Sequence, residues 1–293
     1  MGAASSILKL AESEKWDEIQ KFLLDKDIAN EMKIENLRYR DKYKGSPLQC
    51  AIYRKAPVYI IVLIVDICGD DILMETNQDG NNLLHHAAIA GSSDEVLTLI
   101  MRVGGQKVIT EHDNRGRLPI HYSVDRFGKP NERVFRCFVK EGISQEIGGP
   151  YGMAGIFVKD KQNHSAFDFL KLRLSLDDLV RTIKTNFYGQ PFLHAAIGNV
   201  SREEIRLIVR CLRWSVSTYD RYGRLPIHFA AERGLTWENG MDLIVEAYEE
   251  SVELHDSKRT GLLPFAIAAA EKNNDLNTVY NLIHRRVNLL FCK

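Results

Sequence analysis

The chain has 293 residues, 45% of them hydrophobic, enough to bury a sizeable core, and length alone would allow about two domains. Lys+Arg and Asp+Glu balance at 39 each, so no global positive field is available to neutralise phosphates, and no nucleic-acid partner is expected. The five cysteines are scattered with no C-x-x-C pair to hold a metal or a redox disulfide, which fits a reducing, cytoplasmic (intracellular) setting. The longest apolar run, Val58 to Val65, falls short of the ~18 residues that a membrane span requires.

At the N-terminus, Met1-Gly2-Ala3-Ala4-Ser5-Ser6 fits the M-G-x-x-x-[ST] acceptor for N-myristoylation on Gly2. The string is short enough to arise by chance. One acyl chain anchors weakly, and neither a nearby cysteine nor a dense basic cluster supports it. Peripheral membrane association through Gly2 is therefore carried as an alternative. Ile7 and, within residues 8–24, Leu10, Ala11, Trp16, Ile19 and Leu23 stand at helical spacing, and residues 1–40 read as an N-terminal helical cap or partial repeat.

From residue 41 the sequence repeats itself. GRLPIH occurs at 116–121 and again at 223–228, and the likeness extends outward on both sides. With the proline as a ruler, equivalent positions fall at Pro47, Leu83, Pro119, Ala166, Phe192, Pro226 and Pro264, at steps of 36, 36, 47, 26, 34 and 38 residues. Before the anchor stands a turn signal, as in Asp113-x-x-Gly116, Asp220-x-x-Gly223, Asn77-x-x-Gly80 and Asn186-x-x-Gly189. Each supplies a side chain that bonds its own backbone and a glycine for positive φ. Proline then opens a helix where its missing N–H has no intrahelical partner. A second helix follows with apolar three-to-four spacing, for example Ile205, Ile208, Val209 and Leu212. Neither helix alone could bury its apolar face, so neighbouring units must stack.

The pattern D-x-x-G-x-T-P-L-H-x-A-A that these units echo resembles the ankyrin repeat over roughly residues 41–293. It is closest at 223–234 (GRLPIHFAAERG) and good at 81–91 and 190–199. The tetratricopeptide repeat has a similar period, but its aromatic signature is missing. The expected fold is an all-α solenoid of about seven stacked helix-turn-helix repeats behind the N-terminal cap, with a loop insertion near 145–158. In the resemblance, His85, His121, His194 and His228 brace the turn. The family's threonine before proline is Leu118, Leu225 and Leu263 here, so its hydroxyl bond is lost and apolar contact takes its place. The fourth unit, Lys159 to Thr185, has Asn163 for Gly, Ala166 for Pro and Asp168 for His. Its helices are expected and its hairpin is left open.

No catalytic set emerges. No G-x-S-x-G, H-E-x-x-H or G-x-x-x-x-G-K-[ST] string occurs, and the glycines at 148–155 lack the lysine of a phosphate loop. One histidine per repeat does not converge on a metal, and His85 and His86 point about 100° apart on a helix. No cofactor and no metal ion are expected, and the chain is not expected to be an enzyme. The alternative of an enzyme with a site in the 141–165 insertion would rest on Glu141, Glu146, Asp160 and His164.

The resemblance implies non-catalytic binding of a protein partner by a monomer, on the concave face and the hairpin tips. The residue before the turn glycine position is Tyr43, Asp79, Arg115, Gln162, Tyr188, Tyr222 and Thr260 in successive units. Tyr and Arg most often dominate binding energy. The candidate partner-binding residues are therefore Tyr43, Arg115, Arg117, Tyr188, Arg221, Tyr222 and Arg224.

Overall fold

A computed structural model describes residues 4–40, 45–125, 130–145, 153–187, 189, 191–256, 260–272 and 275–291, and every structural statement below concerns these residues. They form seventeen α-helices and no β-strand. The chain divides into two compact units, residues 1–174 and 175–293.

The first unit opens with α1 (Ala4–Glu12), α2 (Trp16–Leu24) and α3 (Asn30–Leu37). Ile7, Ala11, Ile19 and Leu23 are buried, as their spacing requires, while Leu10 and Trp16 are half-buried. Helix α3 is an addition to the expected pair: it holds Lys33 and Asn36 inside along with Leu37, a mixture that no apolar period announces. Then come α4 (Pro47–Tyr53), α5 (Val58–Cys68), α6 (Leu83–Ala90), α7 (Asp94–Thr110, interrupted at Gly105), α8 (Pro119–Val124), α9 (Glu132–Ser144) and α10 (Ala166–Arg173). First helices stack on first helices, α4 on α6 and α6 on α8, and second on second, α5 on α7 and α7 on α9. Part of the 145–158 insertion joins this core: Met153 and Ile156 are buried, and the turn at Met153–Gly155 packs on α9.

The second unit holds α11 (Leu176–Phe187), α12 (Phe192–Ala196), α13 (Arg202–Cys211), α14 (Pro226–Glu232), α15 (Met241–Ala247), α16 (Pro264–Ala270) and α17 (Leu276–Phe291). The same stacking recurs, α12 on α14 and α14 on α16, with α13 on α15. Seven helix pairs thus follow the N-terminal helices along the sequence, the fourth made of α10 and α11.

The hairpins explain the spacing of the motif. In one of them the Asp113 carboxylate accepts the N–H groups of Arg115 and Arg117, both at 2.8 Å, and Gly116 turns the chain at φ +75°. Asp220 and Gly223 do the same at 220–224. The fourth unit's hairpin is fully formed. Asp160 accepts from Gln162 and His164, and Asn163 takes the glycine's place at φ +65°. Asparagine is one of the few residues with a side chain that enters this region readily.

Two of the glycines are fixed twice over. A Cβ on Gly80 would lie 2.8 Å from the Asn114 backbone nitrogen, and one on Gly116 would lie 3.1 Å from that of Lys161, because the next hairpin passes directly over them. Gly261 has the same positive φ with nothing nearby.

Five of the first helices begin with a local bond that the third residue after the N-cap accepts. The Nδ1 atoms of His85, His121 and His228 take the N–H of Asn82, Leu118 and Leu225 at 3.0–3.2 Å. Gln49 Oε1 does this for Ser46, and the Asp168 carboxylate for Ser165. His194 is preceded by Pro191, which has no N–H to give. Where the family's threonine is replaced, Leu118, Leu225 and Leu263 are buried. The imidazole alone has a second arm. Nε2 donates to a carbonyl of the following repeat, from His85 to Arg117 (3.0 Å), His121 to Val158 (3.0 Å), His194 to Arg224 (3.0 Å) and His228 to Leu254 (2.8 Å).

A ring whose Nδ1 accepts must be neutral, and burial disfavours the charge at all four. Burial pulls His85 and His194 from the ordinary 6.5 to about 4, and lowers His121 and His228. The unfolded chain binds protons below about pH 6.5 that the folded chain refuses. The urea midpoint is therefore expected to be level above about pH 7 and to fall steadily as pH drops from about 6.5 to about 4, before the carboxylates are protonated. A midpoint that stays level across that window would refute the neutral-imidazole account. For the turns, Gly261→Ala should cost about 1 kcal/mol from φ alone. Gly80→Ala should cost at least twice as much, roughly 2–3 kcal/mol. Equal losses in chemical denaturation would mean that the hairpins are not in contact.

Candidate functional site

The tips of the first unit form a linked edge. The Asn114 N–H donates to the Asp79 carbonyl, and the Lys161 N–H to the Arg115 carbonyl, both at 2.9 Å. Asn114 Nδ2 also reaches the Gln78 carbonyl at 3.0 Å, and Lys161 Nζ the Asn114 carbonyl at 2.9 Å. Hairpins 77–81, 113–117 and 160–164 are thus joined tip to tip, backbone to backbone. Asn114 and Lys161 sit one residue before the tip position, in the same register. They were missed in the sequence because a main-chain bond leaves no residue-type signature.

Of the candidate residues, Arg115, Arg221 and Tyr222 are exposed. In the second unit, the Arg221 guanidinium lies over the Tyr222 ring at 4.9 Å and donates to its hydroxyl at 2.8 Å, while the Arg224 guanidinium stands 5.4 Å from the same ring. Tyr222 keeps 39% of its surface open. Tyr43, Tyr188 and Gly2 lie outside the described residues.

Arg117 and Arg224 do not belong to the surface: they are 8% and 4% exposed. Arg117 donates to Asp160 of the next hairpin at 3.1 Å and to Asp125 at 2.9 Å, with its guanidinium 5.0 Å from the Phe169 ring. Arg224 donates to Asp220 at 3.0 Å and pairs with Glu232, over the Phe229 ring at 5.1 Å. Two residues past the tip the chain is already returning to the core, so these side chains run inward. Their backbones are also junctions, since each carbonyl accepts both the hairpin N–H and the histidine of the preceding repeat. Tyr122 completes the first junction by donating its hydroxyl to Asp113 at 2.5 Å, and burial, together with that bond, pushes the phenol well above its ordinary value.

Asp168, in the fourth unit's histidine position, shows how a carboxylate serves there. Burial works against its charge, but Lys159 (2.5 Å), Ser165 and Lys171 (3.0 Å) outweigh it and hold the carboxyl well below the usual range. The other polar residues of the insertion also have structural partners. Glu141 pairs with Arg102, Asp160 shapes its turn and receives Arg117, and the His164 ring lies 5.6 Å from Phe169. Glu146 lies outside the described residues. Among those described, no three His, Cys, Asp or Glu side chains come together to hold a metal ion, and no helix is long and apolar enough to cross a membrane. A groove of about 170 Å³ behind the 220–224 hairpin is lined by Glu232, Asp256 and Glu271 around Ile267 and Ala270.

No family model matches the sequence, and no curated protein does. Among solved structures the chain is similar to the ankyrin repeat domain of Bcl-3, a member of the IkappaB family, at 14% identity, covering 95% of this chain and 97% of that one, with a TM-score of 0.41.

The division between buried and exposed arginines can be measured. Arg117→Met should leave the buried Asp160 carboxylate without its cation and Asp125 with Arg173 alone, at a cost of about 3–5 kcal/mol. Arg115→Ala should change stability by no more than about 0.5 kcal/mol. Comparable losses in urea titrations of the two variants would contradict the placement of Arg117.

Proposed function

We propose that the protein is a non-catalytic interaction module that binds a protein partner along its hairpin tips. The observation that carries this reading is the chain of backbone bonds joining hairpins 77–81, 113–117 and 160–164. A surface fixed in this way does not have to be ordered when a partner arrives, which removes part of the entropic cost of association. Arg115 in the first unit, and Arg221 with Tyr222 in the second, supply exposed side chains of the kind that dominate interfaces. Tyr43 and Tyr188 hold the same tip position by sequence and belong to the proposed surface. Arg117 and Arg224 support it from beneath. A second reading, membrane attachment through a myristoylated Gly2, rests only on the acceptor string at residues 1–6.

The test is affinity capture from the source lysate, comparing wild type with an Arg115→Glu, Arg221→Glu, Tyr222→Ala variant that melts like it, read by mass spectrometry. The variant is expected to lose a protein that wild type retains, by about tenfold or more in recovered amount, equivalent to ~1.4 kcal/mol. Retention of the same proteins by both would sink the tip assignment. Intact mass after expression in eukaryotic cells decides separately whether Gly2 carries a myristoyl group.

A further inference from the structure

Helix α17 packs against the second unit by one side only. Thr278 and Leu282 are buried, and the Thr278 hydroxyl accepts the Trp237 N–H at 2.6 Å. On the opposite side Leu276, Tyr280, Ile283, Val287 and Leu290 are 74, 65, 41, 40 and 56% exposed. Their spacing is four, three, four, three, the strict two-per-heptad seam by which one helix packs on another. Phe291, 86% exposed, extends the seam at its end. A surface helix of a monomer ordinarily turns such a stripe inward, and this one turns a second stripe inward as well.

The charge along the seam is one-sided. From residue 276 to 291 there is no Asp or Glu, whereas His284, Arg285 and Arg286 fall within one turn. Arg285 is answered by Glu249 at 3.0 Å, while Arg286, at a position beside the seam, lies against the Phe265 ring at 5.8 Å. A second copy would bring the same basic positions up to the seam and offer no carboxylate from its own α17. A lipid surface asks for a broad apolar face, and here polar Asn277, His284 and Asn288 border a narrow one.

We infer that the outer face of α17 is a docking site for one amphipathic helix of a partner protein, with an apolar heptad seam flanked by Asp or Glu. The partner's apolar residues lie between Tyr280, Ile283 and Val287, and its carboxylates meet Arg286. This surface is distinct from the hairpin tips and stands or falls independently of them.

The probe is a fluorescein-labelled three-heptad peptide with leucine at the two seam positions and glutamate at the flanking ones, compared by anisotropy with an otherwise identical lysine-flanked peptide. Wild type should bind the glutamate peptide about tenfold more tightly than the lysine peptide. The Ile283→Asn, Val287→Asn variant, altered only at exposed positions and checked by thermal melting, should lose both. Equal affinity for the two peptides, or binding of neither, overturns the inference without reference to any variant. So does sedimentation showing self-association that the variant abolishes, which would assign the seam to a second copy. Displacement of the glutamate peptide by phosphatidylserine vesicles, with vesicle binding lost in the same variant, would assign it to a membrane and overturn the inference likewise.

Discussion

In four of the repeats a single buried imidazole bonds the backbone of the next repeat, and in three of them it also closes its own helix. Nδ1 closes the first turn of its own helix except where Pro191 removes the donor, and Nε2 bonds a carbonyl of the next repeat. The second bond turns a row of helix pairs into an array, because it sets the distance and rotation between neighbours where side-chain packing alone would allow them to slide. It also constrains the sequence strongly. A ring that accepts on one nitrogen and donates from the other must be neutral, and complete burial keeps it so. Gln49 and Asp168 can perform the local half of the task, and Ala266, the third residue after the N-cap Leu263 of α16, neither half.

The hairpins depend on that spacing. Because His85 holds the Arg117 carbonyl, the 113–117 turn lies over the 77–81 turn closely enough for Asn114 to bond Asp79 and to leave Gly80 no room for a side chain. Tip-to-tip bonds and excluded side chains are thus two consequences of one interrepeat bond. The exposed residues carried on the tips are free to vary without disturbing it, and this is the condition for a scaffold whose specificity lies in its surface.

The two proposed surfaces divide along the same line. Tip residues such as Arg115 and Tyr222 sit on main chain fixed by its own bonds, so their positions are known to the fold before any partner binds. The seam of α17 is different. It is a face left over when the helix has already used its buried side on Thr278 and Leu282.

The repeat itself was legible in the sequence. A turn needing an Asx side chain and a positive φ, a proline that only a first helical position tolerates, and a histidine two residues later are local demands, met by residue types at fixed spacing. They specified all-helical, ankyrin-like units, their number and their phase even across irregular steps. What lay beyond was tertiary. Asn163 makes a sound hairpin because the surrounding bonds hold it at positive φ. Helix α3 forms around a buried lysine and asparagine with no apolar period to reveal it. Register placed Arg117 and Arg224 near the tips, yet only the path of the returning chain, and the carboxylates waiting along it, decided that they face inward. Periodicity reports which positions are equivalent, whereas the direction a side chain takes depends on neighbours supplied from elsewhere in the chain.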